Sequence, residues 1–161
     1  MILSTEQIIQ LAQTAGFTGT DLATAVAVAL AESGGDPNAY NPETAAGAPQ
    51  GKGSYGLWQI YLEAHPEDAS LNLYDPQTNA NAAYQTYANA GGAFTPWSTF
   101  KSGAYLAQLP AVGVAIAAAS VAPDVDAITS DGSGNPPDGS QMAMLIVGGV
   151  LVFGLIYRFF A

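Results

Sequence analysis

The sequence lacks cysteine, and its 161 residues include one histidine and only three basic residues. The absence of cysteine excludes a disulfide scaffold, a zinc–thiolate or iron–sulfur centre and a cysteine nucleophile. A single histidine, His65, excludes a His-rich metal site. Thirteen acidic residues give a formal net charge of -10. Because phosphate binding needs Lys and Arg, this balance argues against a nucleic-acid partner. We expect no metal and no cofactor.

Charged residues are also scarce, at 10% of the chain, compared with about 25% in ordinary soluble domains. Much of the apolar excess lies near the C-terminus, where residues 142–157 are all apolar, glycine or tyrosine and Arg158 follows. A helix over residues 142–161 would rise about 30 Å, the thickness of a bilayer's hydrocarbon core. We therefore predict a C-terminal helix that either spans a membrane or is buried in a protein assembly.

The remainder of the chain divides into three parts. Residues 1–107 alternate helical segments with loops rich in Gly, Pro and Asn, which predicts a mainly α domain with little or no β-structure. Residues 108–122 predict an apolar, Ala-rich helix that packs on the domain or on a partner. Residues 123–141 are rich in Gly, Pro, Ser and Asp, a composition typical of a linker.

Capping residues mark several helices in the first part. Ser4 or Thr5 can cap a first helix that Gly16 ends, and Thr20 or Asp21 can cap a second. Residues 53–62 predict a short strand or turn that leads into a helix. Asp75 is a cap with Pro76 at the first helical position, which predicts a helix that runs to the Gly pair at 91–92.

Glu32 is the only charged residue in the apolar helical run LATAVAVALAE. Its carboxyl is either turned to water or partly buried. Burial of a carboxyl favours the protonated form, which the general acid of a glycosidase requires. The SGGDP turn that follows frees the backbone for the approach of a ligand.

Four stretches resemble one enzyme family over about residues 5–107. They are ALAESGGDPNAYNP, GSYGLWQI, the helix start with Asp75, Pro76 and Asn79, and PWS followed by SGAY at 102–105. Together they resemble the lysozyme-like lytic transglycosylases of the soluble-lytic-transglycosylase and goose-type lysozyme group, in particular phage members. The resemblance implies a lysozyme-like α-helical domain that cuts peptidoglycan between N-acetylmuramic acid and N-acetylglucosamine.

The resemblance also implies a site. Glu32 matches the catalytic acid/base. Substrate-binding roles are implied for Ser33, Ser54, Tyr55, Gly56, Gln59 and Tyr105. The Gln59 amide would bind substrate or pin its loop, and Trp58 would be either a core residue or a platform for a sugar. Other aromatic residues that could line a sugar cleft are Tyr40, Tyr84, Tyr87 and Trp97.

The reaction type depends on a second acid. A hydrolase normally needs a second carboxylate, whereas a lytic transglycosylase uses the muramyl C6 hydroxyl as nucleophile. The candidates are Asp36, Glu43, Glu63, Asp68 and Asp75. Because Asp36 is explained as a turn residue and Asp75 as a helix cap, and no other candidate stands out, the transglycosylase is favoured. His65 is expected to be a solvated loop residue.

The biological setting is inferred from the parts. The N-terminal MILSTEQIIQ has no basic n-region, so we do not expect a cleaved signal peptide. A small wall-cleaving domain with an apolar C-terminal helix fits a phage virion protein that opens the wall during genome entry, with residues 142–161 contacting a membrane or other virion proteins. The alternatives are a membrane-anchored wall enzyme of a bacterium, a non-catalytic plug protein of a virion and a holin-like protein.

Overall fold

The computed structural model describes residues 1–42, 52–120, 145–147 and 150–152. The chain forms two compact units, Met1–Ile116 and Ala117–Ala161. The first unit holds the helices and a small antiparallel sheet. The last described helix begins in the first unit and ends at Ser120, in the second. Beyond Ser120, the described residues form two short strands.

Two helices open the first unit, as the sequence predicts. Helix α1 (Thr5–Ala15) begins at Ser4, whose hydroxyl accepts the N–H of Gln7 while the Gln7 side chain accepts the N–H of Ser4. This reciprocal capping satisfies two donors that the first turn leaves free. Helix α2 (Gly19–Ser33) begins after Thr18, earlier than the caps expected at Thr20 and Asp21.

Helix α2 lies at the centre of the core. Its middle consists of small and β-branched residues that are fully buried, Ala25 to Ala29. Small side chains let neighbouring elements approach the helix closely. An aromatic cluster closes one side of this core, with ring centroids about 5–6 Å apart, and its members are Phe17, Tyr84, Tyr87, Phe94, Trp97 and Phe100.

A three-stranded antiparallel sheet supplies the little β-structure of this unit. Its strands are β1 (Tyr40–Asn41), β2 (Ser54–Tyr55) and β3 (Ile60–Tyr61), and β2 lies in the middle. Tyr55 pairs with Tyr40 on one side and with Ile60 on the other. The prediction of a helix after the β2 region is therefore wrong, because the chain turns back into β3.

Helix α3 (Pro76–Asn89) confirms the predicted cap, since the Asp75 carboxylate accepts the N–H of Thr78 at 2.8 Å and Pro76 follows it. A 3₁₀ helix (Pro66–Ser70) lies before it within the predicted loop. Helix α4 (Ser98–Lys101), a second 3₁₀ helix (Ala104–Ala107) and helix α5 (Leu109–Ser120) complete the unit's described elements.

Helix α5 occupies the apolar stretch predicted as a helix over residues 108–122. Pro110 lies in its first turn, where a missing N–H costs little. Val112 and Ala115 are buried in the core. The start of this helix therefore packs on the helical domain.

The six described residues of the C-terminal stretch are strands and not part of the helix expected over residues 142–161. Strands β4 (Leu145–Val147) and β5 (Val150–Val152) pair in antiparallel fashion, with Val147 opposite Val150. The physical reason lies in the sequence: two triplets rich in β-branched residues flank a Gly-Gly pair, the pattern of a two-residue hairpin. The rest of this stretch and the predicted linker 123–141 lie outside the described residues. Within the described part of the chain, no helix has the length and apolar character needed to cross a membrane.

Candidate active site

Glu32 lies on the last turn of α2 and is partly buried. The helix ends immediately after it, because Gly34 adopts a left-handed conformation (φ 61°). The Ser33 hydroxyl donates to the Ala29 carbonyl at 2.9 Å and accepts the Gly35 N–H at 3.2 Å. Ser33 therefore fastens the helix end to the following loop and holds the backbone that carries Glu32.

Thr99 of α4 is the hydrogen-bond partner of Glu32. Its hydroxyl donates to Glu32 Oε1 at 2.6 Å, and its backbone N–H donates to the same oxygen at 3.4 Å. No sequence signal points to Thr99, which is 67 residues from Glu32 along the chain. The fold alone brings the two together.

Glu32 lines a cleft of about 220 Å³. The cleft is walled by residues from α2, the sheet and the segment before and at the start of α4: Glu32, Ser54, Gln59, Tyr61, Pro96, Trp97 and Ser98. A second cavity of about 180 Å³ shares four of these residues and continues past Ile60, Ala64, His65 and Thr86. The two cavities adjoin at these shared residues, and we refer to them together as the groove.

The GSYGLWQI segment turns beside this groove. Gln59, which has a positive φ of 47°, donates its side-chain amide to the Gly56 carbonyl at 2.9 Å and to the Ala39 carbonyl at 3.2 Å. Of the two roles predicted for this amide, the structure shows the second, pinning the loop. Gly56 also has a positive φ, 73°, and a Cβ there would overlap the Leu73 carbonyl and the Asn79 amide.

Asn79 is the buried residue that holds this turn. Its amide donates to the carbonyls of Tyr55 (2.8 Å) and Leu73 (3.0 Å), and its oxygen accepts the N–H of Trp58 (2.9 Å). Asn79 is fully buried, and its bonds satisfy two buried backbone groups, of Trp58 and Leu73, and the partly buried carbonyl of Tyr55. It thus joins α3 to the turn that presents Ser54 and Gln59 to the cleft.

The family described as lysozyme-like domain matches residues 9–99, more than half of the chain. The chain belongs to the lysozyme-like domain family. The matched residues include Glu32, the turn at 54–61 and Thr99. Comparisons of the chain with curated proteins and with solved structures gave no match. Membership of this family makes peptidoglycan the substrate and indicates a glycosidase activity.

Two tryptophans connect the cleft of the lysozyme-like domain to its core. Trp58 is fully buried and donates its indole N–H to the Ala25 carbonyl of α2 at 2.9 Å. Trp97 is 5% exposed and donates its own indole N–H to the Trp58 carbonyl at 2.7 Å. Trp58 is therefore placed as a core residue, whereas Trp97 contributes to both core and cleft wall.

Four predicted binding residues are not among those that line the cleft: Ser33 and Gly56, whose backbone roles are described above, and Tyr55 and Tyr105. Tyr55 lies between the rings of Tyr40 and Tyr74, with centroids 4.9 and 5.6 Å away. Burial raises the pKa of the Tyr55 hydroxyl, and the neighbouring Tyr40 adds to this effect. Tyr105 stacks on Phe100 at 4.9 Å. Among the described residues, the predicted site residues that line the cleft are Glu32, Ser54 and Gln59.

Three of the four described candidates for a second acid have other partners. Asp36 accepts the Asn38 N–H within its turn, and Asp75 caps α3. Glu63 accepts the Tyr61 hydroxyl and pairs with Lys52 at 3.1 Å. Both contacts lower the pKa of the Glu63 carboxyl, the Tyr61 bond more strongly. Glu43 lies outside the described residues.

Asp68 belongs to a small group with His65 and Glu67, whose potential ligand atoms lie within 4.8 Å of one another. Burial raises the pKa of the Asp68 carboxyl, and the charge of Glu67 adds to this effect. The His65 ring lies 3.2 Å from Glu67 and lines the second cavity, so it is less solvated than the sequence suggested. Exposed acidic groups of this kind are common without an ion.

Proposed function

We propose that the lysozyme-like domain is a peptidoglycan lytic transglycosylase with Glu32 as its only carboxyl catalyst. The observation that carries the proposal is that Glu32 is the one carboxylate among the described residues that line the cleft. A retaining hydrolase places its second carboxyl about 5–5.5 Å from the first, and an inverting one about 6.5–9.5 Å. The described candidates for that role are engaged in a turn, a cap, an ion pair and the His65 group.

The reaction needs one group that acts first as acid and then as base. Glu32 donates its proton to the bridging oxygen as the bond from this oxygen to the muramyl C1 breaks. The muramyl C6 hydroxyl then attacks C1, and its proton passes to the Glu32 carboxylate. One product ends in a sugar whose hydroxyl contains the former bridging oxygen, and the other ends in a 1,6-anhydromuramyl residue. Glu32 returns to its protonated form.

The cleft supplies surfaces that suit a glycan. Trp97, Pro96 and Tyr61 give apolar walls for the faces of sugar rings, and Ser54 and Ser98 give hydroxyl groups at the wall. The groove continues beyond these residues to His65. A linear glycan strand therefore has a path past the Glu32 carboxyl.

The test is mass spectrometry of muropeptides released from purified sacculi by the full chain and by Glu32→Gln. We expect anhydromuropeptides from the wild type and a rate lower by about 10²–10⁴-fold for the variant, the usual contribution of general acid–base catalysis. Glu6→Gln is the matched control, because it makes the same substitution at an exposed residue of helix α1, and it should keep the wild-type rate. Products with reducing muramyl ends would show a hydrolase, and no release by the folded wild type would favour the plug protein.

We also propose a setting for the enzyme, a phage particle in which it opens the wall during genome entry. The support is the sequence of residues 142–157, which carries no charge and is joined to the enzyme by a linker-like stretch. Such a segment suits contact with a membrane or with other virion proteins. Detection of the chain in purified virions, together with wall-cleaving activity of those virions, tests this proposal. Detection in the envelope of uninfected bacteria would replace it with a cellular enzyme.

A further inference from the structure

We propose that Thr99 is a positioning residue, which holds Oε1 of Glu32 so that Oε2 carries the proton that is transferred. This inference rests on the proposed role of Glu32 as acid/base. It concerns how one carboxyl group can perform two proton transfers at the same place.

The first support is the way in which the two donors of Thr99 meet Glu32. The hydroxyl and the backbone N–H both point to Oε1, at 2.6 and 3.4 Å. Oε2 accepts no hydrogen bond from the described residues. Among the described residues, one oxygen is therefore bound by Thr99, and we assign the other to the substrate. Glu32 first protonates the glycosidic oxygen and then accepts the proton of the C6 hydroxyl. Both transfers occur at the same place when the same carboxyl oxygen carries the proton each time.

The second support is the rigidity of the elements that present Thr99. Trp58 is bonded to the Ala25 carbonyl of α2, and Trp97 is bonded in turn to the Trp58 carbonyl. Thr99 follows Trp97 by two residues, at the start of α4. These contacts form a closed path from α2 through two buried indoles to Thr99 and back to α2 at Glu32. Donor and acceptor are therefore fixed by the same core.

The consequence is specific to the chemical step. Without the Thr99 hydroxyl, the Glu32 carboxyl keeps only the longer bond from the backbone N–H and turns more freely about its last bond. The walls of the cleft remain in place, because Thr99 is not among the residues that line it. Loss of the hydroxyl should therefore lower kcat and leave KM nearly unchanged, the pattern of an interaction that counts in the transition state.

The experiment measures kcat and KM of the full chain on soluble, uncrosslinked peptidoglycan strands. Thr99→Val keeps the shape and removes the donor, and Thr99→Ser keeps the donor. A hydrogen bond to a charged group is worth about a tenfold to hundredfold change in rate. We expect kcat of Thr99→Val to fall by about that factor, with KM within about twofold. Thr99→Ser should recover kcat to within about threefold.

The control is Thr14→Val. It also removes a threonine hydroxyl that donates a hydrogen bond, in this case to the Gln10 carbonyl one turn earlier in α1. It should leave kcat and KM at wild-type values. If Thr99→Val does not fold, Thr99→Ala takes its place, with the same expected loss of kcat.

The outcomes separate the two proposals. A wild-type kcat for Thr99→Val or Thr99→Ala, with an inactive Glu32→Gln, would overturn the role of Thr99 and leave that of Glu32. Equal losses in the Ser and Val variants would also overturn it, because they would assign the loss to packing. An active Glu32→Gln would instead refute the proposed function itself.

Discussion

Asn79→Asp is the most demanding test of how the fold holds the site. The substitution exchanges one NH₂ group for an oxygen and changes the size of the side chain very little. In the wild type that NH₂ donates to two buried carbonyls, those of Tyr55 and Leu73, at 2.8 and 3.0 Å. In the variant, the oxygen that replaces the NH₂ group faces both carbonyl oxygens. Burial favours the protonated form of this carboxyl, and its hydroxyl can donate to only one of the two carbonyls. The bond from the Trp58 N–H to Oδ1 can remain.

The magnitude follows from these contacts. A buried acceptor that loses its donor costs about 1–3 kcal/mol. Either a buried, unpaired charge or the protonation of this carboxyl at neutral pH, about three units above its unfolded pKa, adds several kcal/mol. We therefore expect a loss of at least about 4 kcal/mol, a large part of the roughly 5–15 kcal/mol that stabilises a typical domain. Urea unfolding followed by the fluorescence of the two buried tryptophans measures this loss.

Asn81→Asp is the matched control on the same helix. Asn81 is exposed, and its oxygen accepts the Gln77 amide at 3.0 Å, a bond that an Asp keeps. Its effect should stay within about 0.5 kcal/mol, as for ordinary surface substitutions. A difference of less than 1 kcal/mol between the two variants would refute the reasoning, since the three bonds of Asn79 would then contribute little.

Two further predictions concern single turns. Gly56→Ala should destabilise the domain by about 2–5 kcal/mol in urea unfolding, because its Cβ overlaps the Leu73 carbonyl in addition to the strain of a positive φ. Gly34→Ala, with φ 61° and open space around it, should cost only about 1–2 kcal/mol in the same assay. Equal losses would contradict the clash. The bonds from Thr78 lower the pKa of Asp75, so its stabilising effect is present above its unfolded value of about 3.9 and is lost as the pH falls through the lower folded value. Asp75→Asn should therefore show a smaller loss of stability than the wild type between about pH 4 and 2, and parallel pH curves would argue against this.

The parts of the fold that the sequence predicted are those with local causes. Ser4, Gly16 and Asp75 mark helix ends through contacts with residues three or four positions away, so their patterns can be read without the tertiary structure. Glu32 stood out because it is a lone charge in an apolar helix. Both kinds of signal depend on neighbours in the sequence, and the structure confirms the helix boundaries at these three caps.

The parts that the sequence did not predict depend on distant contacts. The return of the chain into β3 is enforced by Asn79, more than twenty residues beyond β2, and no local preference announces it. Thr99 meets Glu32 only because two indoles join α4 to α2. The start of α2 at Thr18 was missed because this residue makes no side-chain capping bond and leaves no capping signature.

These contacts also change what an intact family motif means for this chain. Ser33, Gly56 and Gln59 stand in the motif positions, and the structure gives each a role in holding backbone. A protein that kept only the fold would need these residues just as much as an enzyme would. Glu32 differs from these residues because it lines the cleft, although its Oε1 also accepts the backbone N–H of Thr99. The pair of Glu32 and Thr99 also joins α2 to α4, so the hydrogen bonds alone do not separate an enzyme from a non-catalytic body. The position of the Glu32 carboxyl at the cleft wall is the feature that this joining role does not explain. Activity should therefore be judged from the rates of the Glu32 and Thr99 variants rather than from the motif as a whole.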